Sequence, residues 1–403
     1  MATGTDAARG APEPDELRAE FLLRPDVVFL NHGSFGACPR PVFEEYQRWQ
    51  LELERQPVAF FAERARLLPA ARAALAAYVG CDRDDLVFVP NATTGISAVA
   101  RSLPLAPGDE VLATDHEYGA CDRAWAFACG QRGARYLKAA VPVPVTSAGD
   151  VVDALWAGVT PRTRALFVSH ITSPTAIVFP VEAICRRARE AGILTVIDGA
   201  HAPGQIDLDL RALDADVYAG NCHKWLCAPK GAGFLYARRA LQPLLAPPVT
   251  SWGRPVDPAA PNPFVDEFEW QGTRDISAYL AVPAAIRYLE ARDWPAVRRR
   301  CHALAAWTRG AVAALAGTTP LTPDSAEWYA QMVAVPLPPC DREALKRRLL
   351  DEHAIEVPVV AWGTHHLVRV SVQGYTRRAD VEALAEALAV LLPQVRTAAP
   401  GPQ

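Results

Sequence analysis

The fold is decided by residues 193–201, ILTVIDGAH, in which an apolar run leads directly into an aspartate. The run from Ile193 to Ile197 predicts a buried strand. Asp198 ends that strand, and a carboxylate there is costly unless a cation or a hydrogen-bond donor faces it. The sequence therefore predicts a partner for Asp198, and the alternative is that Asp198 caps a helix or forms a turn.

Short apolar runs like this one recur along the chain and alternate with amphipathic stretches. One such stretch, residues 181–191, has helical spacing and stops before Gly192. This alternation indicates an α/β fold with a mostly parallel sheet that helices cover on both faces. The runs that predict strands lie at residues 86–89, 110–113, 165–169, 194–197, 217–219 and 233–236.

The pattern changes around residues 243–263, which are rich in proline and lose their periodicity. Long helical patterns follow at residues 278–292 and 294–315. We therefore expect a large domain and a smaller C-terminal one. The expected limits are a disordered tail at 1–15, an N-terminal segment that packs on the small domain at 16–38, the large domain at 39–265, and a linker helix with the small domain at 266–403.

The composition disfavours several classes of protein. The 403 residues are 50% apolar and carry a net charge of −4. This balance gives no reason to expect nucleic acid or an acidic membrane surface as a partner, and no apolar run has the length of a membrane span. The nine cysteines form no CxxC pair, and residues 1–16 contain no apolar signal region, so we expect reduced thiols and a cytoplasmic protein.

Polar residues follow the predicted strands outside their carboxyl ends, where a parallel sheet places its ligands. Residues 91–95, NATTG, come after the first strand and before a helical pattern. Backbone amides at a helix start form an anion site together with threonine hydroxyls, although an ordinary threonine N-cap is the alternative. The segment is neither a Walker loop nor a GxGxxG turn, which disfavours nucleoside triphosphates and dinucleotides.

Lys224 follows the strand at residues 217–219 and lies between His223 and Trp225, in a stretch without acidic residues. A lysine that forms a Schiff base must be partly desolvated so that its amine can be neutral. An aspartate such as Asp198 could hold a protonated pyridine nitrogen and keep the ring an electron sink. The alternative for Lys224 is an ordinary solvated lysine at a strand end.

A metal site is not expected, although His201, Cys222 and His223 are close in the sequence. The chain has neither an HExxH motif nor a CxxC pair, and His223 is better explained by its position beside Lys224 than by metal binding.

Together these motifs resemble a known family. Residues 198–201 (DGAH), 223–225 (HKW) and 229–233 (PKGAG) are similar to the class V aminotransferase superfamily of pyridoxal-phosphate enzymes, which have fold type I. Three further motifs, at residues 31–36, 115–120 and 271–275, resemble the isopenicillin N epimerase-like family within it. The resemblance spans about residues 29–392. It implies a seven-stranded-type, mostly parallel sheet between helices, a smaller α+β C-terminal domain, and pyridoxal 5′-phosphate as the cofactor.

The resemblance also implies a role for individual residues. Lys224 would form the internal aldimine and transfer protons, Asp198 would hold the pyridinium, and His201 would lie near the phenolic oxygen with Ser173 close by. The phosphate contacts would come from Ala92, Thr93, Asn221 and His223. Gly272 and Thr273 would reach the phosphate in the partner subunit's site, which implies a homodimer with composite sites.

The substrate side of the site is implied in the same way. Arg369, in the strand-like run 367–370, matches an arginine that binds the substrate carboxylate through two hydrogen bonds, and the alternative is a surface arginine on an edge strand. His32 and Ser34 would contact substrate or form a polar turn packed under the small domain. His365 and His366 could reach the mouth of the site or cap a loop.

The reaction is less specified than the cofactor. Removal of the Cα proton can lead to epimerisation, to loss of a β-substituent as in a Cβ–S lyase, or to transamination. His116 would stack on the cofactor ring with Tyr118 as a rival, and a second acid for epimerisation could be His116, Tyr118 or Cys222. A cysteine desulfurase is disfavoured, because residues 341–367 contain no cysteine.

We therefore expect an amino acid epimerase or a Cβ–S lyase of specialised metabolism. The alternatives are an aminotransferase, a decarboxylating or oxidative-deaminating relative, and a non-catalytic binding protein that retains the fold.

Overall fold

The computed structural model describes residues 11–255 and 262–397. The strands are β1 (Val28–Phe29), β2 (Leu86–Val89), β3 (Glu110–Thr114), β4 (Arg135–Ala139), β5 (Thr163–Ser169), β6 (Leu194–Gly199), β7 (Val217–Asn221), β8 (Gly233–Ala237), β9 (Met332–Leu337), β10 (Ile355–Glu356), β11 (Val359–Trp362) and β12 (His365–Ser371). The α-helices are α1 (Pro14–Glu20), α2 (His32–Phe35), α3 (Arg40–Arg55), α4 (Pro57–Ala62), α5 (Arg64–Val79), α6 (Ala92–Ser102), α7 (Gly119–Gln131), α8 (Ala148–Trp156), α9 (Val181–Glu190), α10 (Leu210–Leu213), α11 (Pro263–Glu269), α12 (Ser277–Leu280), α13 (Val282–Glu290), α14 (Trp294–Ala316), α15 (Arg342–His353) and α16 (Arg378–Leu391).

A seven-stranded sheet with the order β2-β8-β7-β6-β5-β3-β4 forms the centre of the fold. Neighbouring strands from β7 to β4 pair in parallel, and β8 is antiparallel to both β2 and β7. The predicted mostly parallel sheet is confirmed, and each of the six apolar runs lies in one of its strands. The seventh strand, β4, has no apolar signature, because Arg135 and Lys138 are exposed at the edge of the sheet.

Each face of the large sheet has its own apolar core, because successive side chains of a strand point to opposite faces. On one face, Phe88 of β2 stacks on Tyr279 of α12 with ring centroids 4.9 Å apart. On the other face, the neighbouring Val87 belongs to a core that includes Ile96 of α6 and Trp125 of α7. Helices therefore cover both faces, as the alternation predicts.

The C-terminal residues form a three-stranded antiparallel sheet with the order β11-β12-β9, against which α14 and α15 pack. The N-terminal segment joins this part of the molecule: β1 pairs in parallel with β10, Val28 lies opposite Ile355, and the ring centroids of Phe21 and Tyr375 are 4.7 Å apart. Residues 1–10 of the expected tail lie outside the described residues, and helix α1 already begins at Pro14.

Two features differ from the sequence pattern around the expected domain boundary. The helical pattern at residues 278–292 consists of two helices, α12 and α13, which meet at Ala281, whereas the next pattern is the single helix α14. Helix α11 spans the expected limit at residue 265 and packs on β2. The limits at residues 38 and 265 therefore stay predictions, and residues 256–261 of the proline-rich stretch lie outside the described residues.

Two further observations concern the whole described chain. All nine cysteines lie within it, and each is free. Among the residues described, no helix combines the length and the apolar character that crossing a membrane requires.

Candidate active site

A cavity of about 570 Å³ opens at the carboxyl ends of the parallel strands. The loops after β2, β3, β5, β6 and β7 all contribute to its wall, as expected for an open α/β sheet. The predicted residues that line it are Ser34, Ala92, Thr93, Tyr118, Ser173, Asp198, His201, Asn221, His223 and Lys224. The predicted residues that do not line it are His32, His116, Gly272, Thr273 and Arg369.

Lys224 follows β7 and reaches into the cavity, where its Nζ lies 3.2 Å from Nε2 of His201. Burial and the positive charge of Arg369 lower the pKa of Lys224 to about 8, although the carboxylate of Asp198 acts in the opposite direction. An appreciable minority of the amine is therefore neutral near physiological pH, and the neutral amine is the form that attacks an aldehyde.

Asp198 ends β6 and is only 3% exposed. Oδ1 accepts a hydrogen bond of 2.9 Å from the amide of Ala200, and the thiol of Cys121 lies 3.5 Å from Oδ2. Burial raises the pKa of Asp198, and the charge of Lys224 opposes this effect. A buried carboxylate at the cavity wall without an ion-pair partner among the described residues fits a protonated pyridine nitrogen.

Glu117 lies behind this wall and has no assigned role in the sequence prediction. Its carboxyl group accepts hydrogen bonds of 2.6 Å from the hydroxyls of Thr114 and Ser169. Burial, with a smaller contribution from the negative charge of Asp198, raises the pKa of Glu117 to about 8, although the hydrogen bonds from Ser169 and Thr114 oppose this effect. Glu117 is therefore mostly neutral at pH 7, and of these two acids only Asp198 lines the cavity. The apolar run that ends just before this acid is the signal that could have found it.

The expected phosphate site lies at the start of helix α6. Asn91 caps the helix, with Oδ1 accepting a 2.9 Å hydrogen bond from the amide of Thr94. The amide of Ala92 is not available to a phosphate, because it donates a 2.8 Å hydrogen bond to Oδ1 of Asn221. This corrects the predicted backbone contact at Ala92. Thr93, the second helical residue, has no intrahelical acceptor for its amide and lines the cavity.

His223 also lines the cavity, and its Nδ1 lies 3.0 Å from the carbonyl oxygen of Ala232. A carbonyl oxygen can only accept, so Nδ1 carries a proton. Burial lowers the pKa of His223 to about 4, so the free ring is neutral with an unprotonated Nε2. A bound phosphate dianion would have to raise that pKa for Nε2 to donate to it.

The structure does not place His116 at the cofactor ring. Its side chain is fully buried, Nδ1 lies 2.7 Å from the hydroxyl of Thr175, and Nε2 lies 2.9 Å from the carbonyl oxygen of Val141. Its ring packs against Trp362 with centroids 4.1 Å apart. Tyr118, the rival residue in the prediction, lines the cavity and is 46% exposed. Tyr118 therefore replaces His116 as the candidate for stacking and for acid–base chemistry.

Arg369 lies on β12 directly behind the cavity wall. Its Nη1 donates a 2.7 Å hydrogen bond to the carbonyl oxygen of Ser173, and its Nη2 donates a 2.9 Å bond to Oγ of Ser34. Among the described residues, no carboxylate pairs with this guanidinium, and its buried Nε has no hydrogen-bond partner. Burial lowers the pKa of Arg369 to about 10. The guanidinium is thus a buried cation with an open donor, as a site for a substrate carboxylate requires.

His32 supports Lys224 from behind instead of reaching the cavity. Its Nε2 lies 3.0 Å from the carbonyl oxygen of Lys224, and its Nδ1 lies 3.0 Å from the hydroxyl of Tyr375. This matches the alternative of a polar turn under the small domain and corrects the predicted substrate contact. The same turn contains Gly36, at φ +70°, where a Cβ atom would lie 1.9 Å from the carbonyl oxygen of His223.

Gly272 and Thr273 lie outside the cavity of their own chain. Gly272 has φ +104° and an open position for a Cβ atom, and Thr273 is exposed. Their predicted contact with a partner subunit's phosphate stays a prediction.

The cysteines do not contribute to the cavity wall, since none of the nine lines it. Cys222, a candidate second acid, is fully buried, and burial raises the pKa of its thiol. Cys340 is also buried, and its amide donates a 3.1 Å hydrogen bond to Nδ1 of His366. His366 therefore has a structural partner away from the cavity, and the ring of His365 stacks on Trp362. No nucleophilic thiol of the kind that a desulfurase needs is present at the cavity wall.

The chain is similar to one protein family, to several curated relatives and to solved structures. The model of the aminotransferase class-V family matches residues 40–384. Isopenicillin N epimerase from Amycolatopsis lactamdurans is 39% identical, over 92% of this chain and 96% of that protein. L-cysteine desulfhydrase from Arabidopsis thaliana is 27% identical, over 91% of this chain and 88% of that protein. The cysteine desulfurase CsdA from Escherichia coli shares the fold with a TM-score of 0.79 at 23% identity, over 96% of this chain and 100% of that one.

Proposed function

This chain belongs to the aminotransferase class-V family and is a pyridoxal-phosphate-dependent enzyme, and on that premise we propose that it removes the Cα proton of an amino acid as an epimerase. The observation that carries this proposal is the buried guanidinium of Arg369, which has no acidic partner among the described residues. It contacts Ser34 and Ser173 at the wall of the cavity that contains Lys224. A carboxylate bound there would stabilise the cation and fix the orientation of the amino acid.

Three residues in or directly behind the cavity wall have distinct tasks in the proposed reaction. Arg369 binds the carboxylate of the amino acid and so directs the Cα hydrogen towards Lys224. Lys224, whose pKa is lowered to about 8, takes up and releases a proton at Nζ near neutral pH. Asp198 would hold the protonated pyridine nitrogen of the bound cofactor. Bound pyridoxal phosphate supplies the electron sink that stabilises the negative charge left at Cα.

Epimerisation needs a second group that can deliver a proton from the other side of the substrate. Tyr118 comes from the loop after β3, whereas Lys224 comes from the loop after β7, and the sheet order places β6 and β5 between them. The two side chains therefore enter the cavity from different parts of its wall. Tyr118 is also half-exposed, so its hydroxyl can exchange protons with water. These features support Tyr118 as the second acid.

A Cβ–S lyase is the second candidate, because elimination of a β-substituent after removal of the Cα proton needs no second base. The relative that is an L-cysteine desulfhydrase favours this candidate. A desulfurase mechanism is disfavoured, because none of the nine cysteines lines the cavity.

We also propose a cytoplasmic homodimer in which Gly272 and Thr273 approach the phosphate of the partner subunit. Thr273 is exposed, and the large apolar side chains of Phe35 and Trp252 are 72% and 93% exposed, which supports a protein interface on this chain. Nine free thiols are consistent with a reducing compartment. Sedimentation of the purified protein is expected to give a dimer, and a fully active monomer would contradict the composite site.

The function is tested by incubating the holoenzyme with D- and L-amino acids and S-substituted cysteines in heavy water, followed by chiral mass spectrometry. An epimerase returns both enantiomers with deuterium at Cα. A lyase releases a thiol and pyruvate, and an aminotransferase yields more than one equivalent of keto acid per chain only when a second keto acid is supplied. Absence of Cα deuterium and of products from every panel member contradicts the proposal.

A Tyr118→Phe variant separates epimerisation from elimination. We expect it to exchange the Cα proton with retention of configuration while forming the opposite enantiomer at least tenfold more slowly, since a positioned proton donor contributes about 100-fold or more. Tyr329→Phe, in the C-terminal part, is the matched control and is expected to leave the ratio of the two rates unchanged. An unchanged ratio in Tyr118→Phe would remove Tyr118 from the mechanism.

A further inference from the structure

Trp225 and His201 form a buried hydrogen bond that determines where the histidine carries its proton. The indole Nε1 of Trp225 lies 3.2 Å from Nδ1 of His201. An indole nitrogen can only donate a hydrogen bond, so Nδ1 of His201 must be the acceptor and carries no proton. A neutral imidazole has one N–H group, and the proton of His201 therefore lies on Nε2.

The protonated Nε2 faces Lys224, whose Nζ is 3.2 Å away. An ammonium group has three donors and no acceptor, so it cannot accept a hydrogen bond from Nε2. A neutral amine has a lone pair and can accept it. The tautomer that Trp225 imposes on His201 therefore matches the neutral form of Lys224 and disfavours the charged one.

The surroundings hold both rings in place. Trp225 is completely buried, and His201 is 2% exposed. The backbone of Trp225 packs closely on Gly204, where a Cβ atom would lie 2.4 Å from the carbonyl carbon of Trp225. The ring centroids of His32 and Trp225 are 5.1 Å apart. The indole therefore has little freedom to move its donor away from His201.

The charged and titratable groups around His201 act in the same direction. Burial lowers the pKa of His201 well below its ordinary value, and positive charge on Lys224 or Arg369 lowers it further, as protonation of His223 or His32 would. Protonation of Nδ1 would also bring two N–H groups together, because Nε1 of Trp225 cannot accept. Both effects keep the ring neutral.

We propose that Trp225 is a positioning residue that fixes His201 as the Nε2–H tautomer, so that a neutral hydrogen-bond donor always faces Lys224. When the cofactor is bound, the same donor is available to its phenolic oxygen, and this second part rests on the proposed function. The first part concerns only the protein's own residues and holds in the absence of cofactor.

The tautomer is measured by nitrogen NMR of the cofactor-free protein labelled with ¹⁵N-histidine, with the His201 signals assigned by their loss in His201→Gln. We expect the wild-type protein to show an unprotonated Nδ1 and a protonated Nε2 at neutral pH. A proton on Nδ1 in the wild-type protein overturns the proposal, and this outcome does not depend on the folding of any Trp225 variant.

Trp225→Phe removes the donor while keeping an aromatic ring. We expect the variant to lose the single tautomer and to raise the pKa of His201 by about one unit, since one hydrogen bond to the neutral form is lost. The matched control is Trp294→Phe, which removes a buried indole that donates a 3.2 Å hydrogen bond to the carbonyl oxygen of Gly204. The control is expected to retain the wild-type tautomer, and an identical loss in both variants overturns the specific role of Trp225.

The effect on Lys224 is read from the pH dependence of its labelling by an amine-reactive reagent, measured by mass spectrometry on the cofactor-free protein. We expect Trp225→Phe to move the midpoint upward by about one unit, because the other tautomer presents an unprotonated Nε2 that accepts from the ammonium. In a His201→Gln background, Trp225→Phe is expected to leave the midpoint unchanged. A shift of equal size in that background overturns the proposal, and none of these readouts depends on turnover.

Discussion

The two ends of the large sheet differ in whether a buried charged side chain has a partner of opposite charge. At the amino end, the fully buried Glu110 begins β3 and pairs with Arg135 and with Arg162, whose Nε lies 3.1 Å from the carboxylate. On the side of the carboxyl ends, Arg369 is nearly as buried, yet among the described residues it contacts hydroxyl and carbonyl oxygens and no carboxylate. The charge of Glu110 is therefore paired without a ligand, whereas the charge of Arg369 is not.

This difference separates structural charge from functional charge. Hydrogen bonds from Thr160 and from the two arginines lower the pKa of Glu110, so its charge is stabilised by the fold. Burial instead lowers the pKa of Lys224 and of Arg369, so the fold disfavours their charged forms. A buried cation without a partner reduces stability, and it is useful where a ligand brings the missing anion.

The largest expected effect removes the amine itself. Lys224→Ala is expected to abolish the visible absorption band of the covalently bound cofactor, because it removes the amine that is expected to form the Schiff base. Lys346→Ala, an exposed lysine on α15, is the control and is expected to keep the band. A visible spectrum of Lys224→Ala that equals the wild-type spectrum would contradict the assignment of Lys224.

The next prediction concerns the pH at which Lys224 reacts. Its pKa of about 8 lies 2.5 units below the ordinary value of 10.5, which is about 300-fold in proton affinity. The rate at which the cofactor-free protein binds pyridoxal phosphate covalently is therefore expected to rise through a midpoint near pH 8, measured by stopped-flow absorbance. A midpoint above pH 10 would show that the site does not favour the neutral amine.

A smaller loss is expected when the carboxylate site is changed. Arg369→Lys keeps the charge but loses the paired donors, and kcat/KM for an amino acid substrate is expected to fall about 100-fold, the value of charge-assisted hydrogen bonds. The matched control at the other end of the sheet is Arg135→Lys, for which kcat/KM is expected to change less than twofold. Equal losses of kcat/KM in the two variants would contradict the proposed functional difference between the two ends of the sheet.

The smallest effects have opposite signs and concern stability. Without ligands, Glu110→Gln is expected to lower the Tm, and Arg369→Met is expected to raise it, each by about 2–4 °C. Thermal unfolding at one fixed scan rate measures both. Because the pKa of Glu110 is lowered in the folded protein, its contribution is present above its ordinary value of 4.5 and is lost as the pH falls through the lowered value. A decrease in Tm for both variants would contradict the comparison.

Much of the fold follows from local patterns in the sequence. The apolar runs that became β2, β3, β5, β6, β7 and β8 are buried on both faces, so their composition alone identifies them. Strand β4 is different because its position at the sheet edge leaves Arg135 and Lys138 in solvent, where no apolar signal is needed. The break at Ala281 likewise has no clear signal in a helical pattern that continues across it.

The sequence predicts the site residues that lie at the ends of strands, but it does not predict those whose position depends on the conformation of a loop. Asp198 and Lys224 end or follow central strands, so their presence at one edge follows from the topology. His116 and Tyr118 lie on one turn, and which of them faces the cavity depends on backbone angles that residue types do not reveal. The bond between Trp225 and His201 joins two loops, and only the folded geometry shows it.

The central claim is tested most directly by reducing the holoenzyme with borohydride, digesting it, and mapping the cofactor by mass spectrometry. Lys224 and Lys230 are the two lysines that line the cavity, and they fall on separable peptides after suitable cleavage. We predict that the cofactor mass is found on Lys224, at up to one cofactor per chain. Attachment to Lys230, or no attachment at all, would contradict the account.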